Sequence, residues 1–131
     1  KIYAKADLYN YQNNDTLALA YCDSILSKYP NNLTLLDDVY FIQAKIHSKN
    51  KHWDYALAAY QKAVNFGDLL KDDALFAMGL IYYNILNQPE KAKYCFERIV
   101  LEHQDSFYAF EARKVYRTLR GDFGGQLNLK N

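Results

Sequence analysis

The clearest pattern in this 131-residue sequence is an eleven-residue stretch near its middle, Trp53-Asp54-Tyr55-Ala56-Leu57-Ala58-Ala59-Tyr60-Gln61-Lys62-Ala63. Ala56, Tyr60 and Ala63 are separated by steps of four and three residues, which place them on one face of an α-helix. An alanine at such a position lets the backbone of another helix come close, and the tyrosine ring fills the space beside it. The stretch therefore predicts a helix that packs tightly against a second helix.

The same spacing occurs twice more, in Ala18, Cys22 and Ile25 and in Ala92, Phe96 and Ile99. The interval between the first positions is 38 residues from 18 to 56 and 36 residues from 56 to 92. Self-similarity at this period is typical of stacked helical repeats. We therefore expect the chain to be an array of similar units, each burying its apolar face against its neighbours.

Breaks in the pattern divide the chain into seven predicted helices, over roughly 1–12, 15–29, 34–49, 51–66, 69–86, 89–102 and 106–119. Pro30 ends the second helix, Asn50 is expected to cap the fourth, and Pro89 suits the first turn of the sixth. Ser106 is expected to open the seventh. No alternating strand pattern is present in the sequence, so the fold class is all-α.

With these residues placed, the chain resembles the tetratricopeptide-repeat family, in which small and aromatic residues recur at fixed spacing over 34 residues. The matching positions are Ala6, Tyr9, Ala18, Cys22, Ile25 and Pro30; then Ala44, His47, Ala56, Tyr60 and Ala63; then Gly79, Tyr82, Ala92, Phe96 and Ile99; and finally Ala112 and Val115. One departure is the ten-residue step from Tyr82 to Ala92, where the step from His47 to Ala56 is nine residues.

The resemblance implies a right-handed α-solenoid of three helical hairpins, over about 1–30, 34–67 and 69–103, with a C-terminal capping helix over about 106–120. Residues 121–131 are expected to form an irregular tail. Ile2, Tyr3 and Leu8 have no earlier repeat to cover them, and the chain begins at Lys1, which suggests a piece of a longer or processed protein.

Members of this family bind proteins or peptides in a concave groove lined by the first helix of each hairpin. The resemblance places an aromatic groove with isolated cations at Tyr3, Asp7, Asn10, Phe41, Lys45, Ser48, Phe76, Leu80, Tyr83, Arg113 and Tyr116. Aromatic anchors beside arginine are typical of binding hot spots. Phe41, Phe76 and Tyr83 are also suited simply to packing between hairpins, so both interpretations stay open.

One specialised use of such grooves is not expected. Co-chaperones of this family hold a terminal carboxylate with lysine, asparagine and arginine side chains. The matching positions in this sequence are Tyr3, Asp7, Ile42, Asp73 and Ala77. None of these residues is a cation, and two of them are acids. These acids would repel a carboxylate.

A second resemblance concerns the cellular location of the protein. Two segments are similar to a sequence motif that is common in bacterial cell-envelope members of the family. They are Ser24-Ile25-Leu26-Ser27-Lys28-Tyr29-Pro30-Asn31-Asn32 and residues 99–109, which occupy the same part of a later repeat. These members include outer-membrane assembly lipoproteins and the periplasmic partner of the Tol-Pal system. This resemblance favours a bacterial cell envelope or periplasm.

Composition and charge argue against nucleic-acid binding and against a membrane-spanning helix. Sixteen basic and 15 acidic residues give a net charge of +1, so we expect no nucleic-acid partner. No apolar run approaches the roughly 18 residues of a membrane-spanning helix. Cys22 and Cys95 lie 73 residues apart in different repeats, so we expect two unpaired, partly buried thiols.

Catalytic and metal-binding patterns are absent from the sequence. The three histidines, His47, His52 and His103, have no metal-ligand spacing, and Asp37-Asp38 and Asp72-Asp73 are placed near helix starts, where they favour the helix dipole. We therefore expect no enzyme activity, no metal and no cofactor.

Three functions remain open: a protein- or peptide-binding scaffold, a structural spacer that self-associates into a homo-oligomer, and the regulatory repeat region of a larger signalling protein. A further hypothesis concerns the tail, in which Leu127 and Leu129 alternate with polar residues. This segment is suited to lying extended in a groove of its own or of a neighbouring chain.

Overall fold

A computed structural model describes residues 14–67 and 70–121, and all regular structure in these residues is helical. The elements are α1 (Asp15–Lys28), α2 (Leu33–Lys49), α3 (Trp53–Phe66), α4 (Lys71–Leu80), a π-helical turn (Ile81–Ile85), α5 (Pro89–Glu102) and α6 (Ala109–Arg120). The predicted helix over 1–12 and the tail beyond Gly121 lie outside the described residues. The chain divides into two compact units, Lys1–Lys71 and Asp72–Asn131.

The repeated small–aromatic spacing forms the core in both units, as the sequence predicts. In the first unit Ala18 and Cys22 of α1 and Ala56 and Ala63 of α3 are completely buried, and Tyr60 is 5% exposed. Ile25 of α1 packs with Val39, Ile42 and Ile46 of α2 in one apolar cluster. In the second unit Ala92, Phe96 and Ile99 of α5 are fully buried. The repeated spacing therefore marks the buried face of α1, α3 and α5.

Polar contacts close the first unit where α1 begins and α2 ends. The carboxylate of Asp15 accepts a hydrogen bond from Lys49 Nζ and another from Asn50 Nδ2, both at 2.8 Å. Asn50 ends α2 through its backbone amide, which donates to the carbonyl of Ile46. The prediction that Asn50 caps the following helix is therefore wrong. Lys51 adopts a left-handed φ of 62°, which reverses the chain, and α3 begins only at Trp53.

The hairpin of α4 and α5 accommodates its extra residue by widening one helical turn. The amide of Leu86 donates to the carbonyl of Ile81, five residues earlier, at 3.0 Å, and such i→i+5 bonds define a π-helix. Asn87 then takes a left-handed φ of 51° before Pro89 starts α5. The tenth residue in the step from Tyr82 to Ala92 is thus absorbed before α5 begins.

The last helix begins three residues later than the sequence predicts, at Ala109 instead of Ser106. The amide of Ser106 donates to the carbonyl of His103 at 2.9 Å, and the amide of Ala109 donates to the carbonyl of Ser106 at 3.1 Å. These bonds make a turn of residues 103–109. Helix α6 then buries Ala109, Ala112 and Val115 and ends at Gly121, whose φ of 96° suits a residue without a Cβ. None of the described helices is both long enough and apolar enough to span a membrane.

Candidate functional site

In the first unit, the predicted groove residues lie along one side of α2. The ring of Phe41 meets the ring of Tyr60 edge-on, with centroids 5.6 Å apart and planes at 67°. One turn later, Lys45 Nζ lies 5.5 Å from the centroid of the Phe41 ring, within the range of a cation–π contact. Phe41 is half-buried and Lys45 is exposed. The buried neighbour thus fixes the ring, and the exposed cation marks its outer side.

Ser48 lies farther along the same helix and is half-buried. Burial raises the pKa of the Tyr60 hydroxyl, and the nearby Ser48 side chain partly offsets this effect. The hydroxyl of Tyr60 is therefore protonated over the physiological range, and Ser48 serves the hairpin core as well as the surface.

In the second unit, Phe76 of α4 occupies the place that Phe41 holds in the first. Its ring meets that of Phe96 edge-on at 5.6 Å and 69°, and it also stacks on Tyr108 with centroids 4.7 Å apart. Leu80 and Tyr83 follow on the same helix and on the π-helical turn, and both are half-buried. The aromatic residues of this group therefore combine packing with partial exposure.

Helix α6 contributes the last two predicted residues, Arg113 and Tyr116, which are both half-buried. The guanidinium of Arg120 lies 5.1 Å from the centroid of the Tyr116 ring. The predicted residues Tyr3, Asp7 and Asn10 lie outside the described residues. Among the others, Phe41, Lys45 and Ser48 share the first unit, and Phe76, Leu80, Tyr83, Arg113 and Tyr116 share the second.

Sequence reasoning missed the role of Asp37, which is only 2% exposed. Its Oδ2 accepts a hydrogen bond from the backbone amide of Leu70, at the start of the next repeat, at 3.4 Å. A Cβ on Gly67 would lie 2.3 Å from the same carboxyl group, so glycine is needed there. The position 35 residues later, Asp72, accepts a hydrogen bond from the hydroxyl of Ser106. An aspartate in each of these two hairpins therefore ties the first helix of the hairpin to the segment that follows it.

The histidine that replaces a packing tyrosine, His47, also makes aromatic contacts. Its ring lies 5.3 Å from that of Tyr55 and 6.2 Å from that of His52. Burial lowers the pKa of His47, and the nearby His52 lowers it further. The neutral imidazole is therefore favoured in the folded chain.

The described residues contain no group of three or more His, Cys, Asp or Glu side chains placed to hold a metal ion. Cys22 and Cys95 are both free and buried. Burial raises the pKa of each thiol to about 12. Since the thiolate is the reactive form, neither cysteine is a nucleophile at neutral pH in the folded chain.

Comparison with known proteins finds one repeat family that matches two segments of the chain. Residues 2–32 and 73–106 match the family model described as tetratricopeptide repeat. These two segments are therefore similar to tetratricopeptide repeats, and the second segment includes most of α4 and all of α5. No curated protein and no solved structure matches the chain. The similarity to bacterial cell-envelope members stays a prediction.

Proposed function

We propose that this tetratricopeptide-repeat chain is a non-catalytic scaffold that binds a protein or peptide along the first helices of its repeats. Tetratricopeptide repeats generally mediate protein–protein interactions. The observation that carries the proposal is the arrangement of Lys45, Phe41 and Tyr60, in which a buried ring holds a half-exposed ring with a cation over it. Such a pair is already ordered before a partner arrives, which lowers the entropic cost of binding.

The second unit offers comparable chemistry. Phe76 is held between Phe96 and Tyr108, and Leu80 and Tyr83 extend the apolar surface toward the π-helical turn. Half-buried aromatic and arginine side chains are the residue types that contribute most to binding energy at protein interfaces. We infer that the partner supplies apolar side chains to these rings and an acidic or carbonyl group to Lys45.

The chemistry at the clamp positions argues against capture of a terminal carboxylate. Ile42 is 4% exposed and belongs to the core of the first unit. Burial raises the pKa of Asp73, and the nearby Asp72 raises it further, although a hydrogen bond with Tyr108 lowers it. These positions supply no cation for a carboxylate, and a terminal carboxylate is therefore not the expected ligand.

A capture experiment with matched variants tests the scaffold function. The 131-residue chain would be immobilised, captured proteins would be identified by mass spectrometry, and the purified partner would be titrated by calorimetry. Lys45→Glu/Leu80→Ser is expected to weaken binding about tenfold or more, since it reverses one charge and removes one apolar contact. Lys28→Glu, which reverses a charge at the end of α1, is the matched control. A partner that binds the double variant as tightly as the wild-type chain would contradict the proposal.

Exposed apolar side chains favour self-association as a second candidate. Leu101, Phe107 and Phe110 of the second unit are 65%, 91% and 69% exposed. Light-scattering mass over a range of protein concentrations tests this candidate, with Phe107→Ser as the variant. A mass that rises with concentration for the wild-type chain and not for the variant supports it. A single-chain mass at all concentrations excludes it.

A further inference from the structure

Three aromatic side chains meet where α2 ends and α3 begins, and two of them are histidines. The ring centroid of His47 lies 6.2 Å from that of His52 and 5.3 Å from that of Tyr55. The rings of His52 and Tyr55 are 6.4 Å apart, with planes at 77°. His47 is half-buried, whereas His52 and Tyr55 are exposed. These three rings, which we call the histidine cluster, therefore reach solvent through His52 and Tyr55.

The backbone holds the two histidines of the cluster together although they are five positions apart in the sequence. The amide of His52 donates a hydrogen bond to the carbonyl of His47 at 2.8 Å. Lys51, with its left-handed φ of 62°, turns the chain between the two helices. Sequence spacing does not reveal this pair, because two histidines on one face of a continuous helix would be about three or four residues apart.

The distance between the two imidazole rings suits a shared metal ion. A zinc–nitrogen bond is about 2.0–2.1 Å long, which puts an ion about 3.2 Å from the centroid of each imidazole that it binds. Two imidazoles that share an ion therefore have centroids between about 5.2 Å apart, for a tetrahedral angle, and about 6.4 Å apart, for a linear one. The observed 6.2 Å lies inside this range. Because His52 is exposed, its ring can approach His47 more closely without repacking the core.

The protonation and the surroundings of His47 also suit a metal ligand. Burial lowers the pKa of His47, and the nearby His52 lowers it further. The neutral imidazole that this favours is the form that binds a metal ion. Nδ1 of His47 is enclosed and has no hydrogen-bond partner among residues 14–67 and 70–121. A buried polar atom without a protein partner is commonly satisfied by a water molecule or an ion.

We propose that His47 and His52 bind one transition-metal ion, of the zinc and copper type, across the turn between α2 and α3. Imidazole nitrogens suit such ions, whereas Mg²⁺ and Ca²⁺ prefer oxygen ligands. Among the described residues no third His, Cys, Asp or Glu completes a metal-binding group with the pair, so water fills the remaining positions. The ion links the end of one helix to the start of the next and so stabilises the first unit. Neither histidine belongs to the proposed groove, and the inference goes beyond the scaffold function.

Calorimetric titration of the metal-free 131-residue chain with Zn²⁺ tests the proposal. One saturable site per chain is expected. His52→Gln should weaken the affinity at least about tenfold, because it removes one ligand at an exposed position and leaves the core intact. His47→Gln should weaken it at least as much. Cu²⁺ should bind more tightly than Zn²⁺, and an excess of Mg²⁺ should not compete.

Matched variants and a spectroscopic readout separate coordination from packing. His103→Gln removes the third histidine, and Tyr55→Phe keeps the neighbouring ring without its hydroxyl; both should keep wild-type affinity for Zn²⁺. NMR spectra of the imidazole rings should show Zn²⁺-dependent shifts for His47 and His52 and none for His103. Binding that fails to saturate at millimolar Zn²⁺, that survives in His52→Gln or that Mg²⁺ displaces would overturn the proposal. An equal loss of affinity in Tyr55→Phe or His103→Gln would also overturn it.

Discussion

Two hairpins of the chain, α2 with α3 and α4 with α5, each contain a pair of aromatic rings at equivalent positions. The two pairs have nearly the same geometry. Phe41 meets Tyr60 at 5.6 Å and 67°, and Phe76 meets Phe96 at 5.6 Å and 69°. The connections between the helices nevertheless differ by one residue. The difference teaches that the ring pair sets the hairpin geometry, and that the connection adapts to it.

Neighbouring residues show how each hairpin reaches this common geometry. Gly79 of α4 stands where α2 has Ala44, and a Cβ on Gly79 would lie 2.5 Å from the Phe96 ring. The second unit therefore brings its ring closer to the opposing helix backbone than an alanine would allow. It also adds Tyr108 to the pair, whereas the first unit places Lys45 over Phe41. One hairpin extends its ring pair with an aromatic side chain and the other with a cation.

The largest expected effect comes from removing the inner ring of either pair. Phe96→Ala and Tyr60→Ala should each lower the free energy of unfolding by about 3–5 kcal/mol, because each leaves a cavity in a closed core. Urea unfolding followed by circular dichroism measures the loss. Phe107→Ala, at a side chain that is 91% exposed, should change stability by less than about 0.5 kcal/mol. A loss below about 1 kcal/mol for both core variants would contradict the central role of the rings.

A smaller effect is expected at the position that distinguishes the two hairpins. Gly79→Ala should cost about 1–3 kcal/mol, because the added methyl group meets the Phe96 ring, although alanine itself favours a helix. Ala44→Gly should cost about 2 kcal/mol, because glycine disfavours a helix and because the completely buried methyl group of Ala44 is lost. The same urea titration measures both. Adding Phe96→Leu to Gly79→Ala should recover part of the loss, and a stabilising Gly79→Ala would show that the helices separate without cost.

The hydrogen bonds accepted by Asp37 and Asp72 should differ in how much they contribute to the free energy of unfolding. Asp37→Ala leaves the Leu70 amide without its acceptor in a partly buried site, which should cost about 1–3 kcal/mol. Ser106→Ala removes the corresponding hydroxyl donor to Asp72 and should cost about 0.5–1.5 kcal/mol. Denaturant midpoints of the two variants measure the difference. Equal losses would mean that burial of Asp37 adds nothing to the strength of its contact.

The smallest effect concerns His47, whose counterpart in the second unit is Tyr82. Because burial holds the pKa of His47 below 6.5, the unfolded chain takes up a proton more readily than the folded chain. The folded chain therefore keeps its full stability above pH 6.5 and loses stability as the pH falls from that value through the lower pKa of folded His47. Unfolding free energies at pH 7.5 and pH 5.5 measure the loss, which His47→Tyr should reduce. Tyr82→His is the reciprocal variant. The prediction is contradicted if neither substitution changes the pH dependence of the unfolding free energy.

Much of the fold follows from short patterns that need no tertiary information. The spacing of Ala56, Tyr60 and Ala63 identifies the buried helix face, and Pro30 and Pro89 place helix ends within about two residues. The beginning of α6 is harder to predict, because Ser106 uses its amide in a turn and its hydroxyl on Asp72. The sequence shows a polar residue there and does not show which partner it takes.

The candidate site is less predictable than the fold, and the reason is physical. A position such as Phe41 lies on the predicted face, but the orientation of its ring depends on Tyr60, which belongs to the next helix. Asp37 shows the same limit. Its adjacency to Asp38 indicates a helix start, whereas its burial depends on Gly67 and Leu70, about thirty residues away. The proposed groove stays a prediction for that reason.

The two buried thiols have a practical consequence for the study of this chain. Cys22 and Cys95 are the only cysteines in the sequence, and one lies in each compact unit. A thiol reagent can reach either sulfur only when the surrounding helices open, so each labelling rate reports the opening free energy of its own unit. Mass spectrometry of the labelled peptides would thus measure the labelling rates of both cysteines in one experiment. The wild-type chain carries these reporters without any engineered probe.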